Sequence, residues 1–269
     1  LAATMLLFGA FTLYAIVLVP AWGSGQHRSG RLPPRVMRRL NVIIGYALLA
    51  AFAANGIALI QQTMTFFNIG FTQALNRDFI ELVRIGSRFG DVWNWRMLFL
   101  GVIGLMFLFS LHSRDDQPAF IYPTLTAAAW VMALVIGSSS VLSHAAGSLL
   151  WPWVALTADW MHALAVGFWV GGLAALVLVL PVALKPYTGD QRRLALLAVL
   201  RRFSPVAVAC LLIVISTGIY SSTNWIFGRE EVESTFGTSL GFKLILVGLL
   251  VAVGALHPIA MRPERYDRF

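Results

Sequence analysis

The sequence predicts an all-α membrane protein: a polytopic bundle with about seven transmembrane helices visible and an extracytoplasmic interfacial helix. Three observations carry this. Of 269 residues, 58% are hydrophobic and only 12% charged, with a mean hydropathy of +0.77, whereas a soluble domain has about 25% charged residues. The apolar residues gather into seven stretches close to the ~20 residues that cross a ~30 Å hydrocarbon core. Trp93, Trp95, Trp151, Trp153, Trp160 and Trp225 stand near the ends of those stretches, as in the aromatic belts of membrane proteins.

Residues 1–22 form the first span. They open inside an apolar run with neither an initiating Met nor a charged leader, so the sequence is expected to be part of something longer. Arg28, Arg31, Arg35, Arg38 and Arg39 follow without one acid, and the second span covers 40–62. Residues 63–92 are too polar to cross and too apolar for a free loop. There Phe71, Leu75, Phe79, Leu82 and Ile85 recur at helical spacing with Arg77, Asp78, Glu81 and Arg84 between them, which predicts an amphipathic helix on the outer membrane surface. Spans three and four occupy 93–111 and 119–142, and the connection to span five, 159–184, has no Lys or Arg. In the fifth loop Lys185, Arg192, Arg193, Arg201 and Arg202 meet a single acid, Asp190. Spans six and seven cover 205–222 and 239–259, separated by a segment that mixes Arg229 with Glu230, Glu231 and Glu233. All should be helices, because an open backbone cannot be satisfied in lipid. The basic loops face the cytoplasm, so the start of the chain is expected outside and its end inside.

The net charge of +8 lies beside apolar spans and reads as a topology signal, which leaves no reason to assign a nucleic-acid partner. One cysteine, Cys210, rules out an internal disulfide and any Cys-pair metal motif. Residues 1–269 read as a single transmembrane domain with a weak internal repeat, 1–111 against 159–259. Each half runs span, basic loop, span, an outer segment ending Phe-Gly, then a cation, Arg96 or Lys243. Parallel repeats often enclose a binding site near their interface.

The chain is organised around residues 143–176. His144 falls in a short turn after span four, and Asp159 and His162 are expected in the first turn of span five, so three groups able to bind a cation meet at one rim. Along span five, Ala163, Gly167, Gly171 and Ala175 recur every four residues, a small-residue ridge that lets another backbone approach closely. Asp159, His162, Val166 and Trp169 share a different face.

His144, Asp159 with His162, and Trp169 with Gly171 and Gly172 resemble the H-A-A, D-x-x-H, W-x-G-G signature of the copper resistance D (CopD-like) family of membrane proteins. Arg202-Phe203-Ser204 with Thr217-Gly218 is similar to that family's R-F-S … T-G helix. Thr235-Phe236-Gly237 with Leu240 and Lys243 is similar to its T-[YF]-G-x-x-L-x-x-K, and Phe89-Gly90 with Trp93 and Arg96 to its F-G-x-x-W-x-x-R. The resemblance spans residues 38–243. It implies a bacterial cytoplasmic-membrane protein that takes up copper ions, with capture at the extracytoplasmic rim by His144 and His162 aided by Asp159. A periplasmic or extracellular copper-binding protein and other membrane subunits are the partners it suggests, besides the lipid bilayer. The resemblance further implies an eighth, last helix after Arg268 and, in some members, a fused soluble domain; both are expected to fall outside a truncated sequence.

Each candidate has a plainer alternative. Imidazole suits copper in either oxidation state, and Asp159 is either a ligand or an acceptor that orients an imidazole; alternatively both histidines are interfacial and satisfied by water. Met64, Met97 and Met161 lie at the same rim with thioethers suited to Cu(I), yet methionine is common packing material. Met106, Met132 and Cys210 deeper in, with Asn55, Gln61, Gln62, Ser138, Ser139 and Ser140, read as packing and interhelical hydrogen bonding rather than sites. Arg96 and Lys243 call for partners, Asp91 or Asp159 for the first and Glu233 for the second, or else snorkel to the interface. His27, His112 and His257 lie at the opposite rim. No catalytic constellation, nucleotide loop, phosphorylation motif or Cys-Pro-Cys is present, which argues against an enzyme and against an ATP-driven pump. Two rival readings stay open: a haem-binding or electron-transfer subunit with histidines as axial ligands, and a structural subunit of a larger membrane complex.

Overall fold

The computed structural model describes residues 1–22, 32–116, 118–142, 151–223 and 235–260, nearly all of them helical. The chain divides into two compact units, Leu1–Gly218 and Ile219–Phe269. In order the helices are α1 (Ala2–Trp22, with a π-helical stretch at Leu13–Leu18), α2 (Pro34–Phe67), α3 (Phe71–Ala74), α4 (Arg77–Gly86) and α5 (Arg88–Asp116). After a 3-10 turn at Pro118–Phe120 come α6 (Ile121–Val141), α7 (Pro152–Leu184, π-helical over Gly167–Gly171), α8 (Gly189–Thr223) and α9 (Thr235–Ala260). Among the described residues, α1, α2, α5, α6, α7 and α8 are long and apolar enough to cross a membrane. The seventh expected span falls on α9, a helix of 26 residues whose stretch Gly237–Leu249 is apolar. The protein is therefore a multi-pass bundle of membrane helices.

The helices run well past the apolar windows that announce them. α2 extends from Pro34 to Phe67, and α8 is a helix of 35 residues, about 52 Å at ~1.5 Å per residue. Arg35, Arg38 and Arg39 thus sit in the first turns of α2, and Arg192, Arg193, Arg201 and Arg202 within α8, not in loops as the hydropathy pattern predicts. The reason is that a helix stops where its backbone is capped or broken, not where its side chains become polar. Pro34 and Pro152 begin α2 and α7, where the missing N–H costs nothing. Asn68, in the left-handed conformation with φ 52°, ends α2, its segment closing back on the Met64 carbonyl. Pro205 is carried inside α8 without ending it. For α7 the early start has a consequence for the site. Asp159 and His162 fall in its third turn, not its first.

Helix α1 is the axis of the first unit. About 61% of its apolar window is buried, against 11% for α8, and Leu7, Phe11, Leu13, Tyr14 and Leu18 are fully enclosed. α1 crosses α7 with almost no gap. A Cβ at Gly9 would run into the backbone of Gly171 and Gly172, a Cβ at Gly171 into the Met5 carbonyl, and a Cβ at Gly167 would press on Phe8 at 3.0 Å. The small-residue ridge of span five is thus the contact through which two backbones meet, as dispersion-driven association in lipid requires.

Between α2 and α5, the single amphipathic helix expected to carry Phe71 to Ile85 is broken at Leu75 and Asn76 into the short α3 and the amphipathic α4. Asn76 caps it by accepting from the Asp78 N–H at 2.9 Å, and Arg77 pairs with Glu81 at 2.9 Å on its exposed side. Val83 is buried and pins α4 to the protein, Phe79 packs on Phe67, and Leu82 and Ile85 are exposed. Gly90 makes the next turn possible: a Cβ there would strike the carbonyls of Val83 and Arg84. Ser87 Oγ accepts from the Gly90 N–H at 3.0 Å, and Asn94 donates to the Arg84 carbonyl at 3.1 Å. The Phe-Gly pair is therefore a close-packing device.

Candidate metal centre

Of the three residues the sequence brings forward, Asp159 and His162 lie on α7 one turn apart, both half-buried, and share a face. His144 lies outside the described residues, as do His27, Glu233 and Trp225, and the side chains of Lys243 and His257 are likewise not described. Among the described residues no group of three or more His, Cys, Asp and Glu side chains is placed to hold a metal. The convergence of His144 with the other two remains an expectation.

The neighbours on α7 show how it is oriented. Trp160 faces α6: its Nε1 donates to the Ala133 carbonyl at 3.0 Å, and its indole lies where a Cβ on Gly137 would sit. His162, two residues on, faces α8, where its Nδ1 lies 2.9 Å from Thr217 Oγ1. Thr217 turns its hydroxyl back onto its own helix, to the Ile213 carbonyl at 2.5 Å with a weaker share to Val214 at 3.4 Å. Gly218 lies beside the ring, where a Cβ would meet Cε1 at 3.9 Å, an ordinary contact. Met161 is exposed on another face, as a 100° step per residue dictates.

Arg96 departs from expectation. Neither Asp91 nor Asp159 is its partner; the guanidinium is held by neutral oxygens of two other helices. Nε donates to Ser138 Oγ at 2.9 Å, Nη2 to Ser139 Oγ at 3.3 Å, and Nη1 to Asn55 Oδ1 at 3.3 Å. The acceptors are prepared for this. Ser138 spends its own hydrogen on the Val135 carbonyl at 2.6 Å, and the Asn55 amide donates to Ala51 at 2.8 Å, so each turns an oxygen lone pair to Arg96. Trp93 adds a bond from Nε1 to the Asn55 carbonyl at 2.9 Å. The physical reason for the difference is reach: five donors in a rigid fork find three oxygens on adjacent helices without leaving their level in the span. Asn55, Ser138 and Ser139 are thereby interhelical glue.

Methionine and cysteine packing also follows the plainer reading. Met132 and Cys210 are buried in the apolar core, and Met97 and Met106 pack against it. Phe203 stacks on Phe168, ring centres 6.0 Å apart, beside the space left by Gly172. Sequence reasoning gave Thr217 no chemistry. The only signal was its place in the T-G pair, and the distance of 55 residues from His162 hides the contact.

Two family profiles match. One, described as the copper resistance protein D-like N-terminal domain, covers residues 1–152, and the other, copper resistance protein D, covers 197–268. Asp159 and His162 lie between the two matched stretches. Over 116 residues the chain is 32% identical to the copper transport protein CutJ of Bacillus subtilis (strain 168), an alignment covering 42% of this chain and 20% of that protein. The chain thus spans about a fifth of that relative. No solved structure matches.

Proposed function

Because the chain belongs to the copper resistance protein D family, we propose that it takes up copper ions across the bacterial cytoplasmic membrane, capturing them at the extracytoplasmic rim. In this reading His144 and His162 are the ligands, and Asp159 either joins them or accepts a hydrogen bond that orients an imidazole. The observation that supports it is the seat of His162, a half-buried imidazole held from one side by Thr217. The level along α7 fits capture. Counting the ~20 residues of a span back from Leu184 puts the hydrocarbon edge near Ala165, just past His162 and Asp159. The outward orientation rests on the arginines clustered at the opposite end of the same helix. A periplasmic or extracellular copper-binding protein would deliver the ion, further membrane subunits would complete the assembly, and an existing gradient or a partner would supply the energy.

The test is metal analysis of the purified protein beside its visible spectrum, for the wild type and His162→Ala. Copper bound by the wild type and lost from the variant supports capture. A Soret band without copper sinks it in favour of a haem-binding subunit. Neither metal nor haem, with stoichiometric companion chains, sinks it in favour of a structural subunit.

A further inference from the structure

We propose that Thr217 is a positioning residue that holds His162 as the Nδ1–H tautomer and so presents Nε2 as the electron-pair donor to copper; this rests on the reading of His162 as a ligand. The argument is a count of hydrogens. A threonine hydroxyl has one hydrogen and two lone pairs. At 2.5 Å from the Ile213 carbonyl, the Thr217 oxygen must have that hydrogen between the two oxygens, since two acceptors at this separation would repel. What Thr217 offers His162 at 2.9 Å is then a lone pair, and the nitrogen facing it, Nδ1, must carry the proton. In a neutral imidazole the other nitrogen is then the acceptor. Metal-bound histidines are commonly fixed in this way, by a hydrogen bond from the nitrogen that does not bind the metal. A plain interhelical hydrogen bond would join α7 and α8 equally well with either tautomer; the back-bond to Ile213 makes this one directional.

The experiment is nitrogen NMR of the full chain labelled with 15N-histidine, copper-free in lipid nanodiscs at about pH 8, above the ordinary histidine value of ~6.5. A His162→Gln sample identifies the His162 signals among the five histidines. The wild type should show a protonated Nδ1 and an unprotonated Nε2. Thr217→Val, nearly the same shape but without the oxygen, should lose that preference, and Thr217→Ser should restore it. In copper titrations Thr217→Val should weaken binding about 10- to 100-fold, while Thr217→Ser stays close to wild type. A wild-type Nε2–H tautomer, or a Thr217→Val protein that keeps the Nδ1–H form, overturns the proposal whatever copper does. An Nδ1–H tautomer combined with undiminished copper binding by His162→Ala overturns the capture reading and with it the role toward copper. The two failures are thus told apart.

Discussion

At Arg96 a full charge inside a membrane span is balanced without a carboxylate. Three oriented dipoles from α2 and α6 serve in its place, so the cost of burial is met by hydrogen bonds that also tie three helices together. Arg96→Leu should lower the melting temperature of the detergent-purified protein. It strands acceptors at ~1–3 kcal/mol each where nothing replaces the donor. Arg96→Lys should recover only part, because an ammonium is no fork. Asp91→Asn, at the exposed carboxylate about one turn and a half before Arg96, should leave the melting temperature alone if Arg96 is held by dipoles; a loss matching that of Arg96→Leu would restore the ion pair and refute this seat. The histidines invite a different measurement, copper affinity. Ligands of one ion act as a unit, so His144→Ala and His162→Ala should each abolish most binding and the double variant should lose little more. Additive losses would mean that the two serve different ions, and wild-type affinity in the double variant would remove both from the site.

At the scale of elements, the crossing of α1 and α7 sets the packing of the first unit. Gly9 and Gly171 approach so closely that any side chain there has backbone, which cannot move aside, as its neighbour. Gly171→Leu should therefore cut the yield of folded protein sharply, well beyond the ~1–3 kcal/mol typical of an overfilled core. Gly101→Leu, which points into open space on α5, is the comparison. Gly189 would serve less well, because its φ of 49° would strain any side chain. Equal yields from the two variants would mean that α1 and α7 do not cross there. The ridge itself was legible in the sequence, since a four-residue repeat of small residues fixes one face of a helix. Its partner was not, because Gly9 stands alone in α1 and carries no pattern. The spans were legible from apolar windows, but not their ends: Pro34 and Gly189 start helices in polar sequence, where hydropathy is blind to backbone capping. Arg96 and Thr217 were hidden for a third reason. Their partners lie on other helices, and Asn, Ser and Thr inside apolar runs look alike until the helices are packed.

For the whole molecule the deciding question is which way round the bundle sits, because capture from outside requires the Asp159 end of α7 to face outward. The basic residues give a directional argument. Arg35, Arg38 and Arg39 begin α2, and Lys185, Arg192, Arg193, Arg201 and Arg202 follow the far end of α7, with Asp190 the one acid among that second group. Arg39 donates to the Leu178 carbonyl at 3.1 Å and Trp22 reaches Tyr187 at 3.4 Å, so the two clusters sit at one end of the first unit. At the other end, α7 from Pro152 to His162 has no Lys or Arg. Lys and Arg are retained on the cytoplasmic side during insertion, so the clustered end should be inside. In a Cys210→Ala background, a thiol probe that cannot cross membranes should label a cysteine placed at Thr157 in intact cells and label one at Asp190 only after the membrane is opened. Both positions are exposed, so access to the side chain does not decide the outcome. Labelling of Asp190→Cys in intact cells, with Thr157→Cys protected, would place His162 on the cytoplasmic face. Copper could then meet it only after crossing or on its way out, and uptake through capture at this end would be untenable.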